Sequence, residues 1–92
     1  MTFTYPAVFT PKKDGDGYHA FFPDLECCEA DGADLEDAVE NARDAANNWI
    51  TVELDEFEGD LPFASHVDDI KLEDGQFVKL ISTKIKLLPD ND

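Results

Sequence analysis

The chain has 92 residues, enough for one modest hydrophobic core, and its 42% hydrophobic share is that of a folded domain. Seven Lys+Arg stand against 22 Asp+Glu, a formal charge of −15. So acidic a surface repels phosphate backbones, which argues against nucleic acid as a direct partner; it attracts basic proteins, or serves solubility or a salt-adapted source, and by itself identifies no partner.

No apolar run approaches the ~20 residues that cross a bilayer. Met1-Thr2-Phe3-Thr4-Tyr5-Pro6 lacks the basic region and long apolar stretch of a signal peptide, so a cytoplasmic protein is expected, with no membrane partner. From Phe3 to Thr10 the chain alternates, with Phe3, Tyr5, Ala7 and Phe9 on one face and Thr4, Val8 and Thr10 on the other. That pattern predicts a strand with one buried face. Pro6 has no N–H, so one side of the strand must be unpaired there. Pro11 to Gly17 reads as a turn, with Asp14-Gly15 and Asp16-Gly17 supplying positive-φ positions. Tyr18 to Phe22 is the second strand, closing an antiparallel hairpin.

Pro23-Asp24 ends the ladder, and Leu25 drops an apolar side chain into the corner. Cys27 to Asp31 is expected to be a short third strand. Its adjacent cysteines then point to opposite faces as two reduced thiols, with neither a disulfide framework nor a zinc set. Gly32 punctuates the strand. Asp34 is a good N-cap, its carboxylate placed to accept from the amide of Asp37. Glu36, Asp37 and Glu40 favour the positive end of the helix dipole. Leu35, Ala38, Val39, Ala42, Ala46, Trp49, Ile50 and Phe57 recur at intervals of three and four and form one stripe. The helix should sit close to a sheet at its alanines, bury Trp49 at its wider end, and stop near Phe57. Glu58 to Gly75 is a polar connection with Pro62-Phe63 as its anchor, and Gln76 to Ile85 is the last strand.

The class is α+β and the order β-β-β-α-β. The first three strands form an antiparallel meander. A strand–helix–strand crossover joins parallel strands, so the fourth strand is expected parallel to the first and beside it, in order 3-2-1-4, with the helix on one face. The other face, carrying Val8, Phe21 and Leu80, is expected to be half apolar and open, and it motivates a homodimer or higher assembly.

The residues spell no catalytic constellation. There is no Ser-His-Asp ordering, phosphate loop or His-Glu-x-x-His motif. Asp14/Asp16 and Asp68/Asp69 read as solvated loop acids, and His19 as a surface side chain. The first strand carries no carboxylate for two-metal hydrolysis. The expectation is a non-enzymatic binding protein without metal or cofactor.

Asp16-Gly17-Tyr18, Phe22-Pro23-Asp24-Leu25, Cys28, Gly32 and the helix opening Leu35 to Ala42, continued through Trp49, resemble the N-terminal domain of the HicB family of antitoxins. The resemblance spans roughly Tyr5 to Ile85. It implies a partial ribonuclease H fold in which Tyr18, Pro23, Leu25, Gly32, Leu35, Ala38, Ala42 and Trp49 are core or fold-defining positions. It also implies self-assembly and a HicA-like toxin as partner, a small basic RNA-cleaving protein that the antitoxin neutralises by covering it. Family members usually continue into a DNA-binding domain. Here residues 1–92 are expected to form a single HicB-like domain without one, so operator binding is not expected. No motif names the toxin-contacting residues. The candidates are the acidic outer face of the helix (Glu36, Glu40, Asp44) and the hairpin acids Asp14 and Asp16. The alternative reading is a free-standing oligomeric HicB-like domain with a structural, small-ligand or RNA-related role.

Overall fold

The computed structural model describes residues 2–13, 15–56 and 61–85. Asp14 and Phe57, singled out above, lie outside them. Five main elements follow in the order β1 (Thr2–Pro11), β2 (Tyr18–Phe21), β3 (Glu29–Gly32), α1 (Leu35–Glu56) and β4 (Phe77–Lys84). A 3-10 turn, Val67–Asp69, lies in the connection before β4. The strands form one four-stranded sheet in the order β3-β2-β1-β4.

The order is the one expected, but the direction of β4 is not. β4 runs antiparallel to β1, with Thr2 opposite Lys84 and Phe9 opposite Phe77. The parallel fourth strand is therefore incorrect, and every pairing in the sheet is antiparallel. The crossover rule applies when a helix feeds directly into the next strand. Here α1 has 22 residues and spans about 33 Å, about the length of β1. Residues 57–76 then follow, and that stretch has the reach to return the chain along the whole sheet. Gln76 donates to Thr10 Oγ1 at 2.9 Å, so β4 enters beside the last residues of β1 and runs back down it.

β1 is central and carries the core. Tyr5, Ala7 and Phe9 point at α1 and are buried with Ala20, Phe22, Leu25, Cys28, Ile81 and Ile85 against Ala38, Ala42, Ala46 and Ile50. Pro6 and Val8 point to the opposite face, and both are buried as well. That face is therefore not the open surface expected from Val8, Phe21 and Leu80. Val8 is closed, Phe21 is half-buried, and only Leu80 is exposed. Pro6 fits a central strand because β2 pairs with β1 only from Val8 to Pro11. Its missing N–H lies past the end of that ladder.

The third strand starts two residues later than expected. Phe22, Leu25 and Cys28 close a tight corner, with Leu25 N–H donating to Phe22 O, Cys28 N–H to Leu25 O, and Phe22 N–H to Cys28 O. Cys27 sits in this corner with φ 63° and is not in a strand. Cys27 is exposed and Cys28 buried, but the turn separates them, not strand alternation. The expected anchor in the connection also changes. Phe63 is 96% exposed, whereas the Pro62 carbonyl accepts the Tyr5 hydroxyl and Asp24 accepts from the Ser65 N–H and hydroxyl.

Candidate partner interface

α1 organises the surface. Asp34 caps it, accepting the Asp37 N–H at 2.8 Å. Glu36, Glu40 and Asp44 follow at intervals of four on one ridge, all exposed. Glu40 is tied to Arg43 at 3.2 Å. Asp16 is exposed in the β1–β2 turn next to Gly17, whose backbone lies against Gly32 and Ala33 just before the helix. Asp16 and Glu36 therefore share the end of the molecule where α1 begins, and Asp44 lies two turns further along. Asp14 is outside the described residues.

The positions expected to be core or fold-defining differ in burial. Leu25, Gly32, Ala38 and Ala42 are buried, Tyr18, Leu35 and Trp49 half-buried, and Pro23 exposed in the corner. Tyr18 stands edge-on to Phe77, with ring centroids 5.9 Å apart. Trp49 is not an interior residue. Its indole N–H donates to the Glu26 carbonyl at 2.9 Å, which pins the β2–β3 corner to the helix.

Two features escaped the sequence reading. The first is a charged cluster on the sheet face away from α1. His19 Nδ1 lies 2.9 Å from Asp31 and Nε2 lies 3.1 Å from Glu29, while Lys12 reaches Asp31 at 3.5 Å. The hydrogen bond from His19 and the charge of Lys12 hold the Asp31 carboxyl below its ordinary value. Only the β2–β3 register, which sets His19 opposite Asp31, reveals this cluster. The second is a groove of about 440 Å³ between α1 and the start of β3, with Cys27, Ala45, Trp49 and Val52 as its apolar surface and Glu29 and Glu53 among its polar residues. Helical spacing shows Ala45, Trp49, Val52 and Glu53 sharing one side of α1, but nothing local shows that the corner stops short of covering them. Burial, with the charge of Glu29, pushes the adjacent Cys28 thiol up to about 11.

Among the described residues, no three His, Cys, Asp or Glu side chains gather to hold a metal, and no helix is long and apolar enough to cross a membrane. Both imidazole nitrogens of His19 are engaged by carboxylates. What the surface offers is an acidic helix ridge and a firmly held apolar groove, the materials of protein recognition.

The chain is similar in fold to a toxin-antitoxin complex chain from Streptococcus pneumoniae, at 20% identity and TM-score 0.71, over 100% of this chain and 78% of that one. It is also similar to a chain of a HicA3 and HicB3 toxin-antitoxin complex, at 24% identity and TM-score 0.68, over 89% of this chain and 99% of that one. The antitoxin HicB of Burkholderia pseudomallei matches at 20% identity and TM-score 0.77, over 98% of this chain and 72% of that one. No curated protein matches the sequence. A family model described as the HicB-like antitoxin of bacterial toxin-antitoxin systems matches residues 5–90. With that match over nearly its whole length, the chain belongs to the family of HicB-like antitoxins.

Proposed function

We propose that this chain is a non-enzymatic antitoxin that neutralises a basic, RNA-cleaving HicA-type toxin by covering it. The observation that carries the reading is the −15 charge on a HicB-like fold. Opposite charge speeds encounter with a cationic toxin and fixes its orientation. The exposed ridge Glu36, Glu40 and Asp44, with Asp16 at its beginning, is the part of that surface assigned to the first electrostatic contact. The neighbours that share the fold are chains of toxin-antitoxin complexes, which supports a toxin as the partner.

Co-expression with a HicA-type toxin tests the reading. Growth arrest by the toxin should be relieved by the chain, and the two should co-purify at low salt. Persistent arrest with no complex would refute it. A charge-reversed variant, Glu36→Lys/Glu40→Lys/Asp44→Lys, should slow association and flatten its salt dependence, because long-range steering is the part of binding that salt screens.

A further inference from the structure

We propose that the groove between α1 and the β2–β3 corner is where a cationic protein anchors, through one apolar side chain that enters beside Trp49 and Val52 with Lys or Arg on either side of it. The proposal rests on the antitoxin reading and deepens it by naming the contact surface.

Three independent features of the groove point the same way. The first is shape and chemistry. The hollow of about 440 Å³ matches a large aliphatic or aromatic side chain with its neighbours, and Val52 is left 47% exposed beside it. An apolar side chain left in water next to an unfilled hollow gains from a partner that removes both from solvent.

The second is rigidity. The Trp49 indole is fixed by the Glu26 carbonyl, and the corner is closed by its own ring of backbone hydrogen bonds. Cys27, at the mouth, is the only non-glycine residue with positive φ among the described residues. Such a conformation persists only where its surroundings over-determine it. A wall held this firmly costs little ordering entropy on binding.

The third is charge. Glu29 and Glu53 line the groove, and no cation lines it. Among the described residues Glu53 has no ion pair, while Glu29 faces His19 Nε2 at 3.1 Å on its outer side, and Arg43 and Lys12 are engaged with Glu40 and Asp31. A neutral apolar ligand would leave the Glu53 carboxylate unanswered, and a nucleic acid would be repelled by both acids. A protein segment with basic residues flanking an apolar one satisfies both parts of the site.

Trp49 is the only tryptophan of the chain, so its emission reports directly on the groove. The probe is the HicA-type toxin retained in the co-expression experiment. Toxin binding should shift Trp49 emission and protect Cys27 from N-ethylmaleimide, while buried Cys28 stays unmodified throughout. Val52→Asp and Glu29→Lys/Glu53→Lys should each weaken affinity by about tenfold or more with unchanged circular dichroism. Should a variant fail to fold, prior modification of Cys27 in the native chain makes the same test by blocking the groove. Unchanged emission, with full affinity after Cys27 modification, would overturn the groove and leave the antitoxin reading standing. Failure to retain any toxin would overturn both. A Trp49 shift on adding RNA at physiological ionic strength would replace the protein occupant and overturn the proposal.

Discussion

Gly32 leaves no room for a side chain. A Cβ there would lie 2.1 Å from the Ala38 backbone nitrogen, so β3 passes the helix at a distance that only glycine permits. Gly17 faces the same junction from the other side, with φ 95° and a Cβ position 2.5 Å from the Gly32 oxygen. Gly32→Ala forces backbone to move and is expected to cost about 3 kcal/mol or to abolish folding, read as a fall in the urea midpoint. Asp31 illustrates a milder dependence. Its carboxyl is held below the ordinary value of 3.8, first by the hydrogen bond from His19. A depressed folded-state pKa contributes stability that is fully present above 3.8 and is lost as pH falls through the folded value. The melting temperature of the wild type should therefore exceed that of Asp31→Asn at pH 6, with the gap closing as pH drops below 3.8. A gap that is independent of pH would show that the His19–Asp31 contact does not hold in solution.

At the scale of elements, α1 does more than cover one face of the sheet. β3 and β4 are the edge strands, and exposed edges invite pairing with other chains. Asn41 donates to the Asp31 carbonyl of β3 at 2.7 Å. Arg43 donates to the Ser82 carbonyl and Asn47 to the Lys84 carbonyl of β4. One helix thus reaches across its own sheet and engages carbonyls on both outer strands. By helical spacing these side chains lie off the apolar stripe, and nothing local shows which strands they reach. Arg43→Ala and Asn47→Ala should each cost about 1 kcal/mol in chemical denaturation. The double variant should also self-associate more strongly than the wild type, seen by light scattering. Unchanged association would mean that these bonds do not guard the edge. Trp49, half-buried, should cost less on truncation to alanine than the roughly 3–5 kcal/mol of a fully buried tryptophan.

For the molecule as a whole, the dominant quantity is charge. A net −15 is carried on a chain whose Cα radius of gyration is 13.9 Å, so the folded state repels itself more than the expanded chain does. Added NaCl screens that repulsion and should raise the melting temperature. If the chain acts as the proposed antitoxin, the same salt should weaken toxin binding, because it would also screen the attraction that steers the partner. Opposite salt responses of stability and affinity, measured on one preparation, would tie both to a single charge distribution. A melting temperature insensitive to salt would show that the acids are locally compensated.

Much of the fold was legible in the residues because it is local. Alternation in β1, the Asp-Gly turn, the Asp34 cap and the spacing of three and four in α1 each set structure within a few positions of themselves, and the order of the first three strands follows from short connections. The resemblance to HicB antitoxins was likewise carried by local junctions such as Phe22-Pro23-Asp24-Leu25. What tertiary structure alone decided is non-local. The direction of β4 depends on how a long connection returns to Thr10. The burial of Val8 and Pro6, the edge-guarding by Asn41, Arg43 and Asn47, and the groove beside Trp49 all depend on which elements meet. No residue pattern within one segment encodes such meetings, because they are set by packing between segments far apart in the chain.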